Sequence, residues 1–179
     1  MTTGREKLPH ETPLGIVTEE ATFFLTVCTR ERGSTVLVEQ NRPSMILDAV
    51  RQRNEGGIWF ASVFLVMPDH VHGLIRFHHP SHPMEKAVLD FKRWTARLTG
   101  FHWKKDFFDH RLRNEESARE KADYILMNPV RAGLVRTPED WPHRWVASEG
   151  WGWRDGPVGN RVLPSGFRIR RRRREGVCR

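Results

Sequence analysis

In the run His70-Val71-His72 two imidazoles stand one residue apart. If the run is a strand, side chains alternate, so both rings share one face while Val71 points into the opposite, apolar layer. Two nitrogen donors that converge in this way are half of a divalent-metal site, and a metal there can polarise a phosphate or carbonyl oxygen. A surface pair without a metal has the same spacing, so the motif leaves both readings open. The second anomaly is tyrosine: against 10 Phe and 7 Trp the chain has one Tyr, Tyr124. A phenol is a competent nucleophile for a phosphodiester once the phosphate is held and polarised, because the aryl phosphate keeps the bond energy for a reverse step. The alternative is an amphipathic ring packed on one side and wet at its hydroxyl. Asn128 follows four residues later, hence one helical turn on along the same face. Its carboxamide oxygen can complete a metal sphere begun by the histidines, and it can equally be the polar stop of a helix before Pro129.

The elements that must position these groups follow from hydrophobic periodicity. Residues 1–20 mix Pro, Gly and charge without period and are expected to be an irregular lead-in. Thr22 to Thr29 is β-branched and aromatic and ends at a charged turn, the pattern of a strand. A helix follows, with Asn41 as its cap, Pro43 in its first turn and Met45, Ile46, Ala49 and Val50 at helical spacing up to Gly56-Gly57. Ile58 to Met67 is almost wholly apolar, as in a central strand covered on both faces. Pro68-Asp69 supplies a tight turn, and His70 to Phe77 returns as the antiparallel partner.

Met84 to Leu98 predicts a helix with Met84, Val88, Phe91, Thr95 and Leu98 as its buried stripe and Lys86, Arg93 and Arg97 on a basic face, stopped by Gly100. Phe101 to Arg113 predicts a fourth strand with its lead-in. Asn114 or Ser117 then caps a helix that buries Ala118, Ala122, Ile125 and Leu126. The order strand, helix, strand, strand, helix, strand is the split β-α-β pattern of an α+β, ferredoxin-like domain: an antiparallel sheet with helices on one face, here with an added C-terminal helix carrying Tyr124. The expected organisation is a lead-in over 1–20, one domain over 21–150, and a C-terminal extension over 151–179.

Composition narrows the partners. The chain has 30 basic and 22 acidic residues, net +8, with a pI of about 10.3, which points to a polyanion. Residues 164–179 alone carry +6, so the body is nearly neutral and a basic face on it must be local. Arg171, Arg172 and Arg173 in that tail can give salt-sensitive, sequence-blind attraction to phosphates, or simply keep a solvated tail soluble. Lys86, Arg93, Arg97, Lys104 and Lys105 are candidates to follow a nucleic-acid backbone, with Trp94, Trp103, Phe107 and Phe108 as candidate platforms for unpaired bases. Two cysteines are too few for a disulfide framework and fit a reducing cytoplasm. No stretch approaches the roughly 20 apolar residues of a membrane span.

The string Val63-Phe64-Leu65-Val66-Met67-Pro68-Asp69-His70-Val71-His72-Gly73-Leu74, followed by Tyr124-Ile125-Leu126-Met127-Asn128-Pro129-Val130-Arg131-Ala132-Gly133-Leu134-Val135, resembles the single-tyrosine HUH transposases, and within them most closely the REP-associated tyrosine transposases. Phe107 to Glu116 and Glu139-Asp140-Trp141-Pro142 also fit that pattern. The likeness spans roughly residues 21–145. The glycine- and arginine-containing signature that many REP-associated members carry near the start is replaced here by Thr22 to Arg30.

The resemblance implies a metal-dependent enzyme that nicks and rejoins single-stranded DNA next to a hairpin. His70, His72 and Asn128 match the residues that hold Mg²⁺ or Mn²⁺. Tyr124 matches the nucleophile, which leaves a free 3′-hydroxyl and a 5′-phosphotyrosyl enzyme. Arg131, a further turn along, is a candidate phosphate contact or a structural salt bridge. A bacterial, cytoplasmic, nucleoid-associated monomer or homodimer is expected. The competing reading is a non-catalytic module that holds single-stranded DNA or RNA on the same fold.

Overall fold

The computed structural model of the protein describes residues 21–77, 81–112 and 115–147. The lead-in over 1–20, the alternative cap Asn114, Trp151 and Trp153, and the arginines of the tail lie outside them. Five antiparallel strands form one sheet in the order β4-β1-β3-β2-β5. They are β1 (Thr22–Cys28), β2 (Phe60–Val66), β3 (His70–Arg76), β4 (Phe108–Arg111) and β5 (Arg144–Val146). The helices are α1 (Arg42–Glu55), α2 (Met84–Thr99), α3 (Glu115–Leu126) and the single turn α4 (Asn128–Arg131). The first four strands with α1 and α2 are the split β-α-β arrangement expected from the sequence.

Alternation along the strands sorts the core into two layers. Leu25, Val27, Phe64, Val71 and Ile75 face one side, where Ile46 and Val50 of α1 and Val88 and Phe91 of α2 cover them. Phe24, Val63, Leu65 and Leu74 face the other, beneath Ala118, Ala122 and Ile125 of α3 and beneath Trp141. A bulge between Ala61 and Val63 lets β2 change which residues face which layer. The hairpin closes where the Met67 N–H donates to the His70 carbonyl at 2.8 Å, around Pro68-Asp69 as expected.

One expectation needs correction. Leu98 is not in the stripe of α2: it is 41% exposed, and Ala87 and the stem of Lys92 are buried instead. The helix ends at Gly100 in the left-handed region (φ 76°), and Phe101 and Trp103 close that end of the core. The segment around Trp145 supplies β5 along the free edge of β2. Trp141 and Trp145 fasten it there, their indole N–H groups donating to the carbonyls of Val66 (3.0 Å) and Ala61 (3.2 Å).

Candidate active site

The sheet face under α3 carries His70, His72 and Leu74 of β3, while Val71 and Ile75 enter the layer under α1 and α2. The two imidazoles meet with Nε2 to Nε2 at 3.1 Å and ring centroids 4.7 Å apart. Each ring is fixed by its other nitrogen. His70 Nδ1 lies 2.6 Å from Asp69 Oδ1, and His72 Nδ1 lies 2.9 Å from the hydroxyl of Thr26, its cross-strand partner on β1. Asp69 is itself held: Oδ2 accepts the Gly33 N–H at 2.9 Å, and Arg32 Nε stands 3.8 Å away. The hydrogen bond from His70, followed by smaller contributions from Gly33 and Arg32, pulls the Asp69 carboxyl down to about 2 against the cost of its burial. Asp69 is therefore an ionised acceptor at neutral pH. Burial, then the neighbouring His70, hold His72 well below the usual histidine value, and Arg131 and Lys121 add to this. His72 is a neutral imidazole.

This arrangement fits a divalent cation. Two nitrogens at adjacent corners of an octahedral ion, each about 2.1 Å from it, lie about 3.0 Å apart, close to the 3.1 Å found. A carboxylate or hydroxyl on the far nitrogen is the outer support that metal-binding histidines ordinarily have. With Asp69 accepting from Nδ1, a neutral His70 keeps a lone pair on Nε2. The Thr26 hydroxyl can donate or accept. When it donates, Nε2–H of His72 can donate to His70; when it accepts, both Nε2 lone pairs face one point. Among the described residues no group of three or more His, Cys, Asp and Glu side chains forms a metal cluster.

Tyr124 sits on α3 over the same face. Burial of its neighbour Ile125 (0% exposed), which contributes about 2 kcal/mol, and of the smaller Ala122 anchors the helix and turns Tyr124 to the rim, where it is 39% exposed. Its ring meets the edge of Phe24 (centroids 6.3 Å, 87°), and Phe24 stacks on His72 (5.3 Å, 24°). The nucleophile candidate and the imidazole pair thus share one aromatic floor. The Arg131 guanidinium lies 4.0 Å from the Tyr124 ring centroid and donates to the Tyr124 carbonyl. Pro129 has no N–H to return to the carbonyl of Ile125. Asn128 Nδ2 donates there and to the Tyr124 carbonyl, at 3.2 Å each. That orients the carboxamide and leaves Oδ1 as its atom able to hold a cation.

The other candidates divide. Lys86 and Arg93 pair with Asp90 (3.3 and 3.8 Å), and with Arg97 they ride on α2, across the sheet from the histidines. Lys104 and Lys105 lie at the His70 end: the Lys104 N–H donates to the carbonyl of Cys28, whose register partner is His70. Of the aromatic candidates, Trp103 is buried and Phe107 packs against the first core layer, while Trp94 is exposed on α2. Phe108, 42% exposed, meets the edge of Phe24 at 6.3 Å. Arg171, Arg172 and Arg173 fall outside the described residues.

Three residues of the site are missed by motif reading. Lys121 precedes Tyr124 by three positions, a spacing that places both on one helical face. Asp69 reads as a turn former, although a carboxylate next to a histidine is also its natural anchor. Thr26 is 46 residues from His72, and no local pattern announces it.

No family model matches the chain. It is 29% identical over 132 residues to the REP-associated tyrosine transposase of Escherichia coli (strain K12), covering 70% of this chain and 79% of that protein. A candidate REP-associated tyrosine transposase of Haemophilus influenzae is 24% identical over 153 residues, 74% of this chain and 85% of the relative. Among solved structures, that of a REP-associated tyrosine transposase bound to a REP hairpin matches with a TM-score of 0.62 and 22% identity, over 91% of this chain and 99% of the other. In sequence and in fold, then, the chain is similar to REP-associated tyrosine transposases.

Proposed function

We propose that this protein is a transposase that cuts and rejoins single-stranded DNA beside a hairpin, with Tyr124 as the nucleophile and with His70, His72 and Asn128 as the holders of Mg²⁺ or Mn²⁺. The observation that carries the reading is the convergence of two anchored imidazoles, 3.1 Å apart at Nε2, on the sheet face that also bears the only tyrosine. Support for hairpin-bearing DNA as partner comes from the relatives: one is named a REP-associated tyrosine transposase, and the fold neighbour is bound to a REP hairpin.

In this reading the phenolic oxygen of Tyr124 attacks the phosphorus of a phosphodiester and loses its proton. The bond from phosphorus to the 3′ oxygen breaks, and that oxygen takes up a proton to become a free 3′-hydroxyl. The 5′ phosphate stays on Tyr124 as an ester. Attack by another strand's 3′-hydroxyl reverses the step and restores the phenol. One phosphate ester is exchanged for another, so no external energy source is required. When bound, the ion supplies positive charge to the non-bridging oxygens.

The chain's own residues orient. Asp69 and Thr26 fix the imidazoles, burial keeps His72 neutral and able to donate a lone pair, and Asn128 with Arg131 ties down the end of α3 and hence Tyr124. Holding a nucleophile in line is the main contribution a protein makes to phosphoryl transfer. Lys104 and Lys105 line the His70 end for the DNA backbone, and Arg171, Arg172 and Arg173 add sequence-blind attraction.

The test is incubation of the full chain with hairpin-flanked single strands and Mn²⁺. The wild type is expected to give a detergent-resistant adduct and a new 3′-hydroxyl end. Tyr124→Phe should give neither, and His70→Ala or chelation should suppress both. Binding without any adduct in the wild type would return the non-catalytic nucleic-acid module.

A further inference from the structure

Several cations on this surface have an acid beside them. Lys86 and Arg93 share Asp90, Arg51 meets Asp48 at 2.8 Å, and Arg42 meets Glu39 at 2.9 Å. Lys121 differs. Its neighbours three and four positions away on α3 are Ser117, Ala118, Tyr124 and Ile125, none of them acidic. Among the described residues no carboxylate forms an ion pair with it. Its half-buried side chain instead sets Nζ 4.8 Å from the ring centroid of Phe24 and 5.1 Å from that of Tyr124. Those are the floor on which His72 stacks and the phenol itself.

The ammonium of a partly buried lysine that lacks a carboxylate and lies over two rings has its electrostatic demand only partly met. An anion arriving over those rings gains a charge-assisted hydrogen bond. We propose that Lys121 is a phosphate-binding residue of this site, its ammonium taking a non-bridging oxygen of the DNA linkage presented to Tyr124; the inference rests on the reading of Tyr124 as the nucleophile. Arg131 has the different task of positioning, because its guanidinium is engaged by the ring and carbonyl of Tyr124. An ammonium so placed also meets the extra negative charge that builds on the phosphate oxygens during attack.

The experiment measures equilibrium binding of a 30-residue oligothymidylate by the full chain across a range of NaCl concentrations, in a Tyr124→Phe background that cannot react and with EDTA present. Removing one phosphate contact lowers the slope of log K against log salt by about 0.7 for a single strand. Lys121→Met and Lys121→Gln are each expected to lose that increment and to bind about tenfold more weakly at low salt, while Lys121→Arg keeps the slope. Lys86→Met, on the opposite face and already paired, should leave it unchanged. An unchanged slope in either neutral variant, with its urea midpoint at the parent value, overturns the inference. Adduct formation by the wild type is scored separately. An adduct with an unchanged slope removes Lys121 and leaves the nucleophile, whereas a reduced slope without any adduct leaves a phosphate contact and removes the chemistry.

Discussion

Replacing Asp69 by Asn removes a charge while keeping the shape and one acceptor for His70. In the folded chain Oδ1 of Asp69 sits 2.6 Å from His70 Nδ1 and Oδ2 accepts from Gly33, and together these draw the carboxyl from its ordinary 3.8 to about 2. A tenfold change in proton affinity corresponds to about 1.4 kcal/mol, so the ionised form contributes about 2 kcal/mol to folding. The side chain is only 17% exposed, so water screens little of this. Because the folded value lies below the unfolded one, the contribution is complete above about pH 4 and disappears as pH falls through the folded value near 2. Urea unfolding of wild type and Asp69→Asn with EDTA present should therefore differ by about 2 kcal/mol at pH 7, the gap narrowing steadily between pH 4 and pH 2. Mn²⁺ affinity, read by electron paramagnetic resonance, should fall roughly tenfold to a hundredfold, as for other lost partners of metal-binding histidines. A variant as stable as the parent at pH 7, or a gap that does not narrow in acid, would refute the role given to this carboxylate.

Thr26→Val leaves the buried Nδ1 of His72 without its 2.9 Å partner, and urea unfolding should register a loss of about 1–2 kcal/mol; a neutral result would mean that the ring finds another partner. Gly73→Ala would set a Cβ 3.0 Å from Phe64 Cδ2 and 3.2 Å from Ile75, both buried in the first core layer, so a cost of about 1–3 kcal/mol is expected. No change in its unfolding midpoint would show that the layer can give way. The double substitution of Lys86 and Arg93 by Ala should leave the adduct yield within about twofold and stability within about 0.5 kcal/mol, as for exposed ion pairs. A loss of adduct beyond fivefold would bring DNA to α2.

Local patterning predicts the elements well, because each depends on its own neighbours. Alternation along His70-Val71-His72 places both rings on one face with Val71 opposite, and Pro68-Asp69 turns the hairpin there. Helical spacing likewise selects Ala118, Ala122 and Ile125 as the buried side of α3, which sends Tyr124 to the rim. What pattern does not contain is the third dimension. It puts Lys86, Arg93 and Arg97 on one side of a helix but is silent on which side of the sheet that helix covers, and α2 covers the side away from the histidines. Lys92 shows the limit of residue type: spacing from Val88 puts it on the apolar side, its stem is buried, and its ammonium escapes by donating to the Lys105 carbonyl at 2.7 Å. The three residues of β5 carry too little periodicity to declare a strand, and its attachment runs through indole N–H groups 75 and 84 residues from their acceptors. The pairing of Thr26 with His72, which fixes one imidazole, exists only once β1 lies beside β3.

The most direct measurement is the identity of the residue that carries DNA. After incubation of the full chain with hairpin-flanked single strands and Mn²⁺, nuclease trimming and tryptic digestion, mass spectrometry should find a nucleotide joined through its 5′ phosphate to the peptide spanning residues 122–131, on Tyr124. A nucleotide on a serine, threonine or histidine instead, or cleavage that leaves a 3′ phosphate, would contradict the account.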